Sequence, residues 1–192
     1  MILPIVLYGD PILKKKAEEI APGYKGLQEL ITNMFETMYA ADGVGFAAPQ
    51  MGLSISLFVV DSSPFVDDYP EAKDFKRIFI NPEIISEEGE EWRFNEGCLS
   101  FPALREDVIR KPIIQIRYLD ENFMPHEDTF DGINARIIQH EYDHLKGIVF
   151  VDRITYLKKT LIKKKLTEII NGNVNPTYKV KAYVKKKIIR KK

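Results

Sequence analysis

Gln139-His140-Glu141-Tyr142-Asp143-His144-Leu145-Lys146-Gly147 is the stretch that decides how this chain is read. Two imidazoles four residues apart stack on one helical face, about one turn from each other. Both can grip one metal ion while the glutamate between them points at the ion's water. Only three histidines occur in 192 residues and two fall into this spacing; the third is His126. Asp131-Gly132 opens the helix that carries them, Ile133, Ile137, Ile138 and Leu145 supply apolar positions, and Gly147 ends it.

Outward from this helix the chain predicts an α+β fold without internal repeats, its antiparallel sheets packed around the metal-binding helix. Pro125 to Phe130 returns antiparallel to a preceding strand across an Asp120-Glu121-Asn122 turn. Val108 to Leu119, Arg77 to Asn81 and Glu83 to Ser86 read as strands, interrupted by Pro112, at an edge, and by Pro82. Ser62 to Phe75 reads as an exposed loop and Ile55 to Asp61 as a strand. Leu27, Leu30, Ile31, Met34, Phe35, Met38 and Tyr39 recur at helical steps, so a helix buries that stripe and ends before Asp42-Gly43. Asp10-Pro11 caps a short helix through Ile12 and Leu13. Downstream, a basic amphipathic helix spans Tyr156 to Ile170 and Asn171-Gly172-Asn173 stops it. Tyr178 to Val184 alternates like a last edge strand, and the final residues are expected to be disordered.

With 45% hydrophobic and 29% charged residues, this length suits one soluble globular domain. The start has no basic leader region, and no apolar run is long enough to cross a bilayer, so a cytoplasmic protein is expected. Zero net charge conceals an asymmetry: from Tyr156 onward there are thirteen Lys and Arg against the single acid Glu168, a net +12, leaving −12 for residues 1 to 155. Such a tail is either a salt-sensitive surface for phosphate backbones or a strap over the acidic body.

A catalytic metal held by two histidines needs a third protein ligand and an open position. A further histidine six residues on would match the long metalloprotease motif, but position 150 is Phe. Glu168 lies in the range of a later-helix glutamate ligand. The remaining source is Cys98, the only cysteine, within Asn95-Glu96-Gly97-Cys98-Leu99-Ser100-Phe101-Pro102, which reads as a tight loop able to turn a thiolate inward.

Three separated motifs resemble those of the peptide deformylase family. Gly43-Val44-Gly45-Phe46-Ala47-Ala48-Pro49-Gln50 is similar to its glycine-rich motif, Glu96-Gly97-Cys98-Leu99-Ser100 to its cysteine motif, and His140-Glu141-Tyr142-Asp143-His144 to its helix motif. The resemblance covers about residues 1 to 152. It implies that Cys98, His140 and His144 hold one divalent ion, natively Fe(II), although Zn(II), Co(II) or Ni(II) suit the same donors. Glu141 would shuttle the proton as water cleaves the N-formyl group from an N-terminal methionine, releasing formate. The Gln50 amide and the Leu99 N–H would receive the negative charge on the formyl oxygen. Val44, Phe94, Ile133 and Ile137, with the His140 ring, would line the methionine pocket.

Residue types support part of this independently. Gly43 and Gly45 let an extended peptide approach the main chain around Val44 and Gly45, and no Lys-Ser or Lys-Thr follows to make a phosphate loop. Glu96 either braces the Cys98 loop or bonds Gln50. Arg105 either meets the substrate's C-terminal side or sits in a surface ion pair. Phe46 stands where the family is more often aliphatic, and the role of Arg136 is open. Residues 1 to 155 would form the catalytic core and 156 to 192 a basic extension of the same domain. The expected partners are formyl-methionyl nascent chains and, through the tail, ribosomal RNA, with no membrane and no DNA. Two other readings compete: an endopeptidase with Glu168 as third ligand, and a noncatalytic nucleic-acid-binding module in which His126 closes a four-ligand site.

Overall fold

The computed structural model describes residues 1–183. Along the chain run β1 (Ile5–Val6), α1 (Leu27–Ala40), β2 (Gly45–Ala47), β3 (Leu57–Asp61), β4 (Lys76–Glu88), β5 (Trp92–Gly97), β6 (Arg105–Arg110), β7 (Ile113–Leu119), β8 (Pro125–Phe130), α2 (Gly132–Leu145), α3 (Tyr156–Leu161), α4 (Lys163–Ile170) and β9 (Val180–Lys181). One antiparallel sheet has the order β2-β3-β4-β7-β8, β5 and β6 form an antiparallel ribbon, and β9 lies parallel to β1.

Strand alternation divides the interior. Phe58 and Val60 of β3 face α2, where Ile133, Ile137, Ile138 and Leu145 pack with Phe79, Ile114 and Ile116. Leu57 and Val59 face the other way, onto Ile31, Met34, Phe35 and Met38 of α1. Burying each such side chain contributes about 1.5–3 kcal/mol, so the sheet is held between two helices and α2 becomes the central element. Among the described residues, no helix is long and apolar enough to cross a membrane.

Several sequence expectations are corrected. Strand β4 runs through Pro82: Asn81 takes a left-handed φ of 48° beside a register shift, and its side chain bonds the Ile20 backbone instead of the ladder. Proline is tolerated at such a bulge because no ladder bond needs its nitrogen. The Ser62 to Phe75 stretch contains two 3-10 turns and buries Ser62, Ala72 and Phe75. It also caps α2, since a Glu71 carboxylate oxygen accepts from the Ile133 N–H at 3.2 Å. Leu30 is only half-buried, and Tyr39 leaves the α1 stripe to donate to Asp61 at 2.6 Å. The basic helix breaks at Ile162 into α3 and α4. The last strand is shorter than its alternation suggested; Val184 and the residues expected to be disordered lie outside those described. The Asp10 cap, the helix ends at Gly147 and Gly172 and the β7–β8 pairing follow the sequence reading.

Candidate metal centre

Helix α2 is buried along twelve of its fourteen residues, including His140, Glu141 and His144. Cys98 follows β5 in a turn closed by the Phe101 N–H on the Cys98 carbonyl at 2.8 Å. Its Sγ lies 3.3 Å from His144 Nε2, and one donor atom from each of Cys98, His140 and His144 falls within 4.8 Å of the others. Those are the dimensions and the N/S chemistry of a site for one divalent transition metal. Glu168, exposed on α4, and His126, which bonds Asp120 at 3.0 Å, take no part in this trio. The endopeptidase and four-ligand readings thereby lose the ligands they require.

A buried charge network orients the trio. Glu96 Oε2 stands 2.9 Å from His140 Nδ1, which leaves Nε2 for an ion. The same carboxylate accepts from Arg110 at 2.8 and 3.0 Å and from Arg136 at 3.0 Å. Arg110 continues to Asp143 at 2.7 Å, and Arg153 pairs with Asp143 from the far side. Burial alone would favour neutral Glu96, but hydrogen bonds from His140 and Arg110 hold its carboxyl well below the usual carboxylate range. Glu96 is therefore a brace for His140; it does not bond Gln50. Arg136, open in the sequence, is buried, bonds the Trp92 carbonyl at 2.8 Å and stacks 4.5 Å from the Trp92 ring. Burial, then the charge of His140, holds His144 well below its ordinary pKa, in the neutral form a metal needs.

In front of the trio lies a cavity of about 340 Å³ whose lining includes Val44, Gly45, Phe94, Leu99, Ile133 and Ile137. Burial pushes the Glu141 carboxyl up to about 7, and its Oε2 has no protein partner. A Cβ on Gly45 would stand 2.5 Å from Glu141 Oε1, and one on Gly43 would stand 2.8 Å from the Leu99 side chain. These glycines thus clear space for neighbouring side chains, a cause that the sequence reading, centred on peptide approach, did not contain. Gln50 accepts from the Ala47 N–H at 2.9 Å through Oε1. That turns Nε2 toward Cys98 Sγ (3.5 Å) and Ser100 Oγ (3.3 Å).

Arg105 also lines the cavity, where it bonds Asn95 through Oδ1 at 2.9 Å and through the carbonyl, not an acid. Phe46 is fully buried against the α1 side of the sheet, so its size does not shape the pocket. Sequence reasoning missed Phe65 and Tyr178, both on the cavity wall. Tyr178 was seen only as part of an alternating strand, and nothing local ties its hydroxyl to the Leu99 carbonyl, 2.9 Å away.

An antiparallel α+β scaffold that buries a His-Glu-x-x-His helix against a cysteine turn defines a metal-dependent hydrolase. Residues 2–160 match the polypeptide deformylase family model, and the chain belongs to that family. It is 55% identical to a peptide deformylase of Christiangramia forsetii, covering 94% of this chain and 96% of that one, and 54% identical to that of Flavobacterium johnsoniae (97% and 99%). Among solved structures it resembles the Legionella pneumophila peptide deformylase, with 39% identity and a TM-score of 0.78 over 90% of this chain and 98% of that one. It also resembles the Plasmodium falciparum enzyme in complex with an inhibitor, at 37% and 0.76 over 87% and 99%.

Proposed function

We propose that this chain removes the N-formyl group from the N-terminal methionine of new polypeptides, with Cys98, His140 and His144 holding one divalent ion. The observation that carries the reading is Glu141, a buried carboxylate with one unpartnered oxygen, on the helix between two of those donors. A bound ion supplies Lewis acidity, which makes water reactive near neutral pH and polarises a carbonyl. Nearby positive charge also draws the Glu141 carboxyl down from its raised pKa, keeping it charged as a base. Glu141 takes a proton as water adds to the formyl carbon and hands one to the departing amine as the C–N bond breaks, leaving formate and a free N-terminus. The formyl oxygen gains negative charge between these events. The Gln50 Nε2–H, held by two long contacts only, and the Leu99 N–H in the same turn are the neutral donors for it. Val44, Phe94, Ile133 and Ile137 suit a flexible thioether, and the Gly45 backbone and Arg105 lie along the same cavity for the rest of the substrate. Metal-loaded Glu141→Ala should keep its ion and lose formate release by roughly 10²–10⁴-fold; loss of the ion would instead make Glu141 a ligand.

The family resemblance favours Fe(II) as the native ion, although Zn(II) generally binds such donors more tightly. Metal analysis of protein purified without oxygen tests this, and zinc in place of iron would reject it. Residues 1–155 act as the catalytic core, and 156–192 as an extension of the same domain: Leu166 and Ile169 pack with Val6, Leu7 and Phe150. In that extension Lys158 and Lys159 strap the body, reaching Glu106 (3.4 Å) and Asp152 (3.2 Å). Lys163 and Lys164 are exposed on α4, and we assign them to ribosomal RNA and the enzyme to the cytoplasm. Lys163→Glu with Lys164→Glu should weaken salt-dependent cosedimentation with ribosomes without changing peptide turnover; unchanged cosedimentation would reject the assignment.

A further inference from the structure

Residues 171–183 follow the stretch that defines the family, which ends at residue 160, yet they return to the active cavity. Ile5 N–H donates to the Lys179 carbonyl at 2.9 Å and Leu7 N–H to Lys181 at 3.0 Å, so β1 anchors the returning arm. Just before that anchor, the Tyr178 hydroxyl donates to the Leu99 carbonyl at 2.9 Å.

Behind Tyr178 is a second cavity of about 430 Å³, bounded by α4, the arm and the Phe101–Leu104 turn. Pro102, Ala103 and Tyr178 line both cavities, so the two adjoin at these residues. Ala103 occupies that edge with a left-handed φ of 55°, a conformation that costs an alanine on the order of 1 kcal/mol and that neighbouring structure must enforce. The Leu104 N–H on the Phe101 carbonyl at 3.1 Å closes the turn that does so. The far side offers both charge signs, Lys165 and Glu168, then the polar Asn175 and Thr177, over an apolar floor that includes Ile169 and Val174. Charged and polar groups above an apolar floor suit a peptide backbone and its side chains, and the size falls in the usual range of ligand pockets, about 300–1,000 Å³.

We propose that this second cavity is a subsite for residues of the formylated chain well downstream of the methionine, built by the C-terminal arm. The proposal rests on the deformylase reading. With the formyl end fixed at the trio, the remaining chain must leave the active cavity, and across the shared Pro102–Ala103–Tyr178 edge lies a concavity of a size able to hold it.

Thr177→Trp tests this, because Thr177 is exposed and its enlarged side chain fills the second cavity without entering the first. Formate release would be measured on a formyl-methionyl dipeptide and on a formylated octapeptide, with Lys165→Ala/Glu168→Ala as a second variant. The wild type should show a lower KM for the octapeptide. In both variants the octapeptide KM should rise, roughly tenfold for a loss of one or two good contacts, with kcat and all dipeptide constants unchanged. Equal changes for both peptides, or no change for the octapeptide, would overturn the subsite while leaving the deformylase reading intact. No formate from either peptide with metal-loaded wild type would overturn the deformylase reading itself.

Discussion

Helix α2 and the α3–α4 pair are both rich in polar residues, and the protein uses them in opposite ways. In α2, Asn134, Arg136, Gln139, His140, Glu141, Asp143 and His144 are all buried. Nearly every one meets a partner from another element: Ser62 with Asn134, Glu96 with Arg136 and His140, Arg110 with Asp143. In α3 and α4 no lysine is buried, and only Leu166 and Ile169, with Ile162 at the break between the helices, are. Polar content alone does not separate a helix that carries chemistry from one that is merely solvated; what separates them is whether the complementary charges that distant strands supply are met out of water, as Glu96 and Arg110 are, or at the surface, as Glu106 is by Lys158. A buried carboxylate can be kept ionised only by such partners.

The sharpest way to break this contrast is Glu96→Ala, which leaves the buried Arg136 without a carboxylate, leaves Arg110 with Asp143 as its one remaining acidic partner and frees His140 Nδ1. Unfolding by urea should show a loss of about 3–5 kcal/mol. Metal affinity, read by competition with a chelator, should fall roughly 10–100-fold. An unfolding midpoint like that of the wild type would mean the network adds nothing. Gly45→Ala should act more narrowly. Its methyl must displace the Glu141 carboxylate, and a displacement on the order of 1 Å should slow formate release roughly 100-fold while metal content stays at the wild-type value. Turnover unchanged by that methyl would show that Glu141 has room to spare. On the solvated side, Lys164→Ala should shift stability by no more than about 0.5 kcal/mol. A larger loss would make α4 electrostatically more like α2 than its exposure suggests.

The Cys98–His140–His144 cluster was legible because its members are close in sequence or chemically rare: two histidines at helical spacing and the single cysteine. The sheet was legible where residues alternate cleanly, as in β3 and β7. What escaped notice depends on convergence in space. Glu96, Arg110 and Arg136 are separated by 14 to 40 positions, so nothing in their local sequences pairs them. Pro82 signals a strand break by its missing N–H, but a bulge at Asn81 removes the need for that bond. Gly45 was assigned to backbone approach because a glycine motif carries no record of which side chain, here Glu141, fills the space beside it.

Cys98 is the one sulfhydryl in the whole chain, and it sits at the edge of the cavity, only partly shielded. Each molecule therefore carries its own tally mark. An alkylating reagent that consumes free thiols has a single target, and an ion held by the proposed trio would engage a lone pair of that sulfur and slow the reaction. The fraction labelled early on a mass spectrum would thus count vacant molecules in any preparation, independently of whether a substrate has been chosen.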